Sequence, residues 1–273
     1  MIAFPNCKIN LGLNIIRKRK DGFHDLETIF LPIQFTDVLE IQLSVLHLEG
    51  VGHLAVTGLP VNADDNLCIK AYNLLKKDFP DLPTVKMHLH KMIPIGAGLG
   101  GGSSDAAFAL QLLNEKFELK LSVEKLLNYA LQLGSDCPFF IINKPCFATG
   151  RGEILEPVNI DLTNYKILIV NPGIHIDTKW AFSKITPLQR KTSIEQIITQ
   201  PIETWKEELR NDFEIPVFAE YPEIEKLKKD LYELGAAFAS LSGSGSTVFG
   251  LFKKHLSIDN SKWNNYFYKI IDT

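Results

Sequence analysis

No run of about 18 apolar residues occurs in the 273-residue chain, so no membrane-crossing helix is expected. An excess of one charge is also missing. The 29 basic and 32 acidic residues leave a net charge of -3, which gives no broad field for nucleic acid or an anionic membrane. Cysteine is scarce: Cys7, Cys68, Cys137 and Cys146 form no CxxC pair and match no zinc spacing. Free thiols in a reducing cytoplasm are the expectation. The stretch MIAFPNCKINLGLNII has no basic segment ahead of an apolar block, so it does not read as a signal peptide. Internal repeats and low-complexity tracts are absent as well.

What is present suits one large or two modest globular domains, with 45% hydrophobic residues. In CKINLGLNI, Ile9, Leu11, Leu13 and Ile15 alternate with polar or small residues, the pattern of a half-buried strand. Lys8 and Asn10 then share the face opposite the core. Asp21-Gly22 signals a turn, and strands are expected at 29–35, 38–48 and 53–57. A helix is expected over 66–78, with Leu67, Ala71, Leu74 and Leu75 on one face. Val85, Met87 and Leu89 alternate with Lys86, His88 and His90 in a further strand.

A glycine tract follows, PIGAGLGGGSSDAA, from Pro94 to Ala107. A helix is expected from Ser103 to about Asn114, and a second from an N-cap at Ser122 to Gly134. Pro138 is expected to hold Cys137 extended. Apolar periodicity lapses over 151–164, returns in YKILIV, and gives helical stretches over 192–209 and 223–234. AAFASLSGSGSTVFGLF reads as strand, glycine turn, strand. Strands and helices mix without regular βα alternation, so the fold class is α+β, with domains at 1–155 and 156–273.

Strand, glycine loop and helix N-terminus together form an anion site, because the backbone donates and absent side chains let oxygens approach. Phosphate is the expected occupant. The P-loop pattern fails, since no lysine precedes Ser103. A dinucleotide fingerprint does match at Gly96, Gly98 and Gly101. It lacks the acidic residue closing a second strand, because Glu118 and Glu124 flank a helix start. An oxidoreductase therefore remains an alternative to a kinase. At Gly101 a branched side chain is expected to meet phosphate and weaken nucleotide binding while the fold persists.

The tract resembles the second motif of the GHMP kinases, the family of galactokinase, homoserine kinase and mevalonate kinase. PNCKINLGLNI with DGFHDLETIF is similar to an N-terminal signature, LGSDCPFF to a catalytic aspartate segment, and LSGSGSTVFGLF to the third glycine motif. The long form GLGGGSS resembles one branch, whose substrate is a diphosphocytidyl sugar alcohol; mevalonate-type and homoserine-type kinases are the nearest alternatives. The resemblance implies a two-domain GHMP kinase fold with its active site in the cleft between domains, using ATP and Mg²⁺. The ATP site would comprise Pro94, Ile95, Gly96, Ala97, Gly98, Leu99, Gly100, Gly101, Gly102, Ser103 and Ser104, with Asn66 and Lys91 near the adenine. Gly243 and Gly245 would wall the site. Asp136 would accept the hydroxyl proton, Lys8 would stabilise developing charge, and Asn10 would position substrate. Phe23, which lacks the phenol of a tyrosine, would stack on cytosine, with His24 on the base edge. Phe182 would close the stack, with Trp180 as its competitor. No magnesium ligand is assigned; Asp105 is the nearest carboxylate, and a helix N-terminal charge would explain it equally. His47, His53, His88 and His90 show no metal spacing.

Overall fold

A computed structural model describes residues 1–44, 53–63, 65–259 and 261–273. In chain order its strands are β1 (Ile2–Ala3), β2 (Asn6–Lys18), β3 (His24–Thr36), β4 (Val38–Leu43), β5 (His53–Gly58), β6 (Val85–Lys91), β7 (Cys146–Thr149), β8 (Ile154–Pro157), β9 (Tyr165–Asn171), β10 (Phe238–Leu241), β11 (Val248–Lys253) and β12 (Phe267–Asp272). The helices are α1 (Leu67–Asp78), α2 (Gly101–Lys116), α3 (Val123–Leu133), α4 (Cys137–Ile142), α5 (Thr178–Ser183), α6 (Ile194–Ile197), α7 (Trp205–Glu208), α8 (Glu214–Glu220) and α9 (Pro222–Glu233). The class is α+β, as expected.

Two compact units divide the chain. The first holds residues 1–7, 35–95 and 100–144; the second holds 8–34, 96–99 and 145–273. The sequence reading has a single cut after residue 155, whereas this division crosses the chain repeatedly. The reason is hydrogen bonding. The long strands β2 and β3 belong to one sheet with β7 and β8, in the order β2-β3-β7-β8, which binds residues 8–34 to chain beyond 144.

In the first unit a sheet of order β1-β4-β6-β5 pairs β6 antiparallel to β4 and parallel to β5. Val85, Met87 and Leu89 point inward in strict alternation, and Lys91 follows them on the same buried face. Helices α1 to α4 pack on one another. Helix α1 starts where expected, with the Asn66 side chain accepting from the Cys68 amide at 2.8 Å. Its buried face is Cys68, Ala71, Tyr72 and Leu75, rotated from the expected one. In the second unit, Leu13 and Ile15 of β2 share a core with Val170, Val217, Leu227, Leu241 and Val248. The hairpin β10–β11 pairs antiparallel around residues 242–247, as the third glycine motif suggested.

Several expectations need correction. Cys137 is the first residue of α4, not extended, because Pro138 in the first helical turn needs no N–H donor. Gly134 ends α3 with φ 170, extended rather than left-handed. Helix α2 begins at Gly101, two residues before Ser103, so the glycines supply its first turn. The helix expected over 192–209 is broken into α6 and α7, with Pro201 between them. A strand, β8, lies in the lapse over 151–164; its residues are mostly exposed, so no alternation marked it. Helices α5 and α8 and strand β12 had no expectation. His47 and the end of the strand expected over 38–48 lie outside the described residues.

Candidate active site

The glycine segment is shaped by protein, not only by whatever it binds. Gly98 has φ +78, and a Cβ there would stand 1.9 Å from the Ser242 carbonyl oxygen. Around it, Ser242 Oγ donates to Gly98 O at 2.8 Å and the Thr247 amide to Ala97 O at 3.1 Å. The Lys8 amide donates to Leu99 O at 2.9 Å. Residues 96–99 are thus held against the third glycine motif and the start of β2, all inside the second unit. A Cβ on Gly101 would meet Ile93 Cγ2 at 2.9 Å and Lys91 Nζ at 3.0 Å, so the expectation that phosphate forbids a side chain there is corrected. Gly102 differs. It is exposed, and a Cβ there would touch only Leu67 Cδ1 at 3.9 Å.

This contrast gives a prediction. Gly102→Ala should not lower the melting temperature, since alanine favours the helix, while weakening nucleotide binding if phosphate approaches there. Gly98→Ala should lower the melting temperature outright, through the carbonyl clash and the left-handed φ. Calorimetric nucleotide titration beside thermal melts reads both. Equal melting loss in the two variants would remove the distinction.

The start of α2 suits an anion. Gly100 sits in left-handed geometry at φ 69 and offers no side-chain cap, so the first amides of a 16-residue helix have no side-chain partner from the N-cap. Ile95 and Gly96 are exposed, and Pro94, Gly100 and Ser103 are half-buried. Ala97, Leu99, Gly101 and Ser104 are buried. No parallel βαβ unit surrounds the fingerprint: β6 leads into α2, and α3 and α4 follow. That removes the structural support for a dinucleotide-binding reading.

Asn66 is the N-cap of α1, and Lys91 lies inside the protein. The Lys91 side chain is 3% exposed, and its ammonium donates to Asp37 Oδ2 and, at 2.7 Å, to Asp105 Oδ2. An adenine contact through that ammonium does not fit, because both carboxylates hold it inside the protein. Period two carried the signal, since Lys91 continues the series of Val85, Met87 and Leu89. Asp37 was missed altogether; a lone aspartate between two strands reads as a turn residue.

Asp105 is not a simple helix charge, because its Oδ2 accepts from the buried Lys91 ammonium. Its Oδ1 and the neighbouring Ser104 Oγ are buried without hydrogen-bond partners. Burial raises the Asp105 pKa to about 7, with Lys91 opposing and Asp37 adding to the rise. Burial alone would lower Lys91, but the charges of Asp105 and Asp37 hold it above its ordinary value, so it stays protonated. The buried Cys68 thiol, pushed well up by burial and by the Asp105 charge, completes the titratable surroundings.

A pH prediction follows from that rise. The unfolded carboxyl titrates near 3.8 and the folded one near 7. Between these values only the folded state keeps the proton, so this contribution to stability is full below about 4 and lost as pH rises to about 7. The stability of the wild type relative to Asp105→Asn should therefore fall across that window and level off above it. Urea denaturation at several pH values measures it, and a flat difference would rule out the raised pKa.

Lys8 and Asn10 were expected on an exposed face. Both are buried, at 3% and 1% exposure, because β2 is covered on both faces from Asn6 to Ile15. Lys8 Nζ donates to Asn10 Oδ1 at 2.5 Å and lies 5.0 Å from the Phe30 ring centre. Asn10 Nδ2 donates to Thr28 Oγ1 at 2.9 Å, and Thr28 donates on to Gly12 O at 2.5 Å. This chain of donors holds the lysine in one rotamer. Asp136 precedes α4 as its N-cap, half-buried, yet makes no side-chain cap hydrogen bond. An N-cap aspartate usually caps its own helix, so capping does not account for this residue. Cys137 beside it has a pKa raised by burial to about 12, moderated by a hydrogen bond with Ser103.

The aromatic residues of the second unit are arranged differently from expectation. His24, not Phe23, stacks on Phe182, with centroids 4.9 Å apart and planes at 16°. Phe23 is 48% exposed, and the Arg151 guanidinium lies 4.3 Å over its ring. Trp180 packs edge-on against Tyr221. Burial, and then the Lys18 charge, lower the His24 pKa, so the ring is neutral at pH 7 and one nitrogen can accept. Arg151 had no sequence expectation. His88 and His90 share the Thr57 hydroxyl, each at 2.9 Å. Among the described residues no three His, Cys, Asp or Glu side chains form a group fit to hold a metal.

Comparison with known proteins agrees with this architecture. The pattern described as GHMP kinases N terminal domain matches residues 66–144, and that described as GHMP kinases C terminal matches 193–269. A Bacteroides fragilis protein named 4-diphosphocytidyl-2-C-methyl-D-erythritol kinase is 53% identical over 259 residues, 92% of each chain. A Bacteroides thetaiotaomicron protein of the same name is 49% identical over 96% of each chain. A crystal structure of 4-(cytidine 5'-diphospho)-2C-methyl-D-erythritol kinase superposes with TM-score 0.80 at 26% identity, covering both chains fully. A homoserine kinase from Cytophaga hutchinsonii shares the fold at 15% identity and TM-score 0.69, over 98% of this chain and 94% of its own.

Proposed function

The chain belongs to the GHMP kinases, and on that premise we propose that it transfers the γ-phosphoryl group of ATP to the 2-hydroxyl of 4-diphosphocytidyl-2-C-methyl-D-erythritol, a step of the non-mevalonate route to isoprenoid precursors. The observation that carries this is 53% identity, over 92% of the chain, to a relative named for that activity. The site residues are assigned by motif and by their surroundings. Glycine-segment amides, at exposed Gly96 and Gly102 and half-buried Ser103 above all, hold the phosphates of ATP. Asp136 accepts the proton of the tertiary hydroxyl, and Lys8 supplies positive charge to the developing alkoxide and phosphoryl oxygens. Asn10 holds Lys8 and orients the alcohol.

Phosphoryl transfer from ATP normally uses Mg²⁺. Bound Mg²⁺ would offset the phosphate charge, and no protein ligand is assigned to it. The four cysteines are buried and none is in a disulfide, which suits a cytoplasmic enzyme. No helix among the described residues is long and apolar enough to cross a membrane.

The cytosine contact involves Phe23, His24 and Phe182. Because His24 already lies on Phe182 at stacking distance, the half-exposed ring of Phe23 is the platform proposed for the base. Phe23→Leu should raise KM for the cytidyl substrate while leaving KM for ATP unchanged, since base–aromatic stacking contributes about 1–3 kcal/mol. A rise in KM for ATP instead would put the ring in the other subsite. The activity itself is tested by incubating the protein with ATP, Mg²⁺ and each of the diphosphocytidyl alcohol, mevalonate and homoserine. ADP should form only with the first; NADH binding without ADP formation would overturn the kinase reading.

A further inference from the structure

Lys91, Asp37 and Asp105 form a buried ionic cluster. Their side chains are 3%, 0% and 3% exposed. Lys91 is the last residue of β6, directly before the glycine segment. Asp37 grips the leading end of that segment, its Oδ1 accepting the Met92 amide at 2.6 Å and the Ile93 amide at 2.8 Å. Its Oδ2 accepts from the Lys91 ammonium. Asp105 belongs to the first turns of α2, which carries the trailing end, and its Oδ2 takes the same ammonium at 2.7 Å. Gly101, the first residue of α2, sits so close that a Cβ there would lie 3.0 Å from Lys91 Nζ. The Lys91 carbonyl also accepts the Leu59 amide at 2.8 Å, tying the strand end to chain beyond β5. One ammonium therefore joins the chain just before Pro94 to the chain just after Gly100, and Lys91, Asp37 and Asp105 all lie in the first unit.

A buried ion cluster adds little net stability over well-packed apolar residues of equal volume. What it does supply is direction: charged hydrogen bonds fix distances and angles that apolar contacts leave free. A phosphate cradle needs that, because small displacements of positioning groups reduce rate and binding steeply. We propose that Lys91, with Asp37 and Asp105, is the positioning residue of the phosphate loop, clamping the end of β6 to the start of α2 so that the loop amides meet ATP in one geometry. The proposal rests on the kinase reading of this segment. It assigns Lys91 no contact with nucleotide, so its effect passes through the backbone at both ends.

The test compares wild type, Lys91→Met, Asp105→Ala and the double variant by steady-state kinetics and by amide hydrogen exchange without ligand. Asp105→Ala keeps the Lys91–Asp37 pair neutral and carries the test if Lys91→Met does not fold. KM for ATP should rise about 10-fold or more, with KM for the second substrate unchanged. Exchange at Met92 and Ile93 and at residues 102–105 should accelerate together. The double variant should be no worse than Lys91→Met, as expected of groups that act as one unit. A parallel rise in both KM values would overturn the clamp, and so would faster exchange at one end only. Should the wild type form no ADP, the kinase reading fails, while the exchange data still decide whether the two ends are coupled.

Discussion

Asp136→Asn is expected to lower kcat by roughly 10²–10⁴ while both substrates still bind. The substitution keeps the size and planarity of the side chain and removes its capacity to take a proton. Asp136 makes no side-chain cap hydrogen bond to α4, so an amide at that place removes no cap from the helix. Thermal melts of the variant beside the wild type separate loss of chemistry from loss of fold. Single-turnover phosphorylation is the deciding measurement, because steady-state rates could hide the effect behind product release. Near-normal turnover would take the base out of the mechanism. It would leave a kinase working by positioning and electrostatics, as the largely dissociative transition state of phosphoryl transfer allows.

Lys8→Met should reduce kcat by about 10²–10³, the usual cost of removing one preorganised charge-stabilising donor. Methionine keeps much of the lysine stem and its packing near the Phe30 ring, but leaves Asn10 Oδ1 without its donor at 2.5 Å. Asn10 remains bonded to Thr28, so its rotamer should survive. The expected signature is a fall in kcat larger than any rise in either KM, because the charge matters most where negative charge develops. If instead both KM values rise and kcat holds, Lys8 is a binding residue only. Combined with Asp136→Asn, the double variant should be about as impaired as the poorer single one, since groups that serve one transition state are not additive.

Local pattern was enough for much of this molecule. The alternation in β2 and β6, the Asn66 and Ser122 N-caps and the hairpin around the third glycine motif were all legible, because each depends on residues a few positions apart. The pieces that were not legible lacked such a signal: β8 is exposed along most of its length, and Pro201 breaks a helical pattern that apolar spacing alone would continue. Motif order was likewise carried by the chain itself, and it was sufficient to point to the GHMP kinases and to their substrate class.

Tertiary structure alone decided what the glycines and the charges are for. Gly98 is small because the Ser242 carbonyl, 144 positions away, occupies the space of a Cβ. Gly101 is small because Lys91 and Ile93 lie beneath it, and of these three Gly102 alone has room that protein leaves unused. Lys8 and Asn10 look like the polar side of a half-exposed strand until the second face is covered. His24 rather than Phe23 meets Phe182, a pairing that spans 158 positions (182 − 24) and that neither local sequence contains. A sequence displays periodicity and the chemistry of each residue, because these are properties of neighbours along the chain. Which atoms exclude a methyl group, and which carboxylates share an ammonium, are properties of neighbours in space, and they exist only once distant segments have packed.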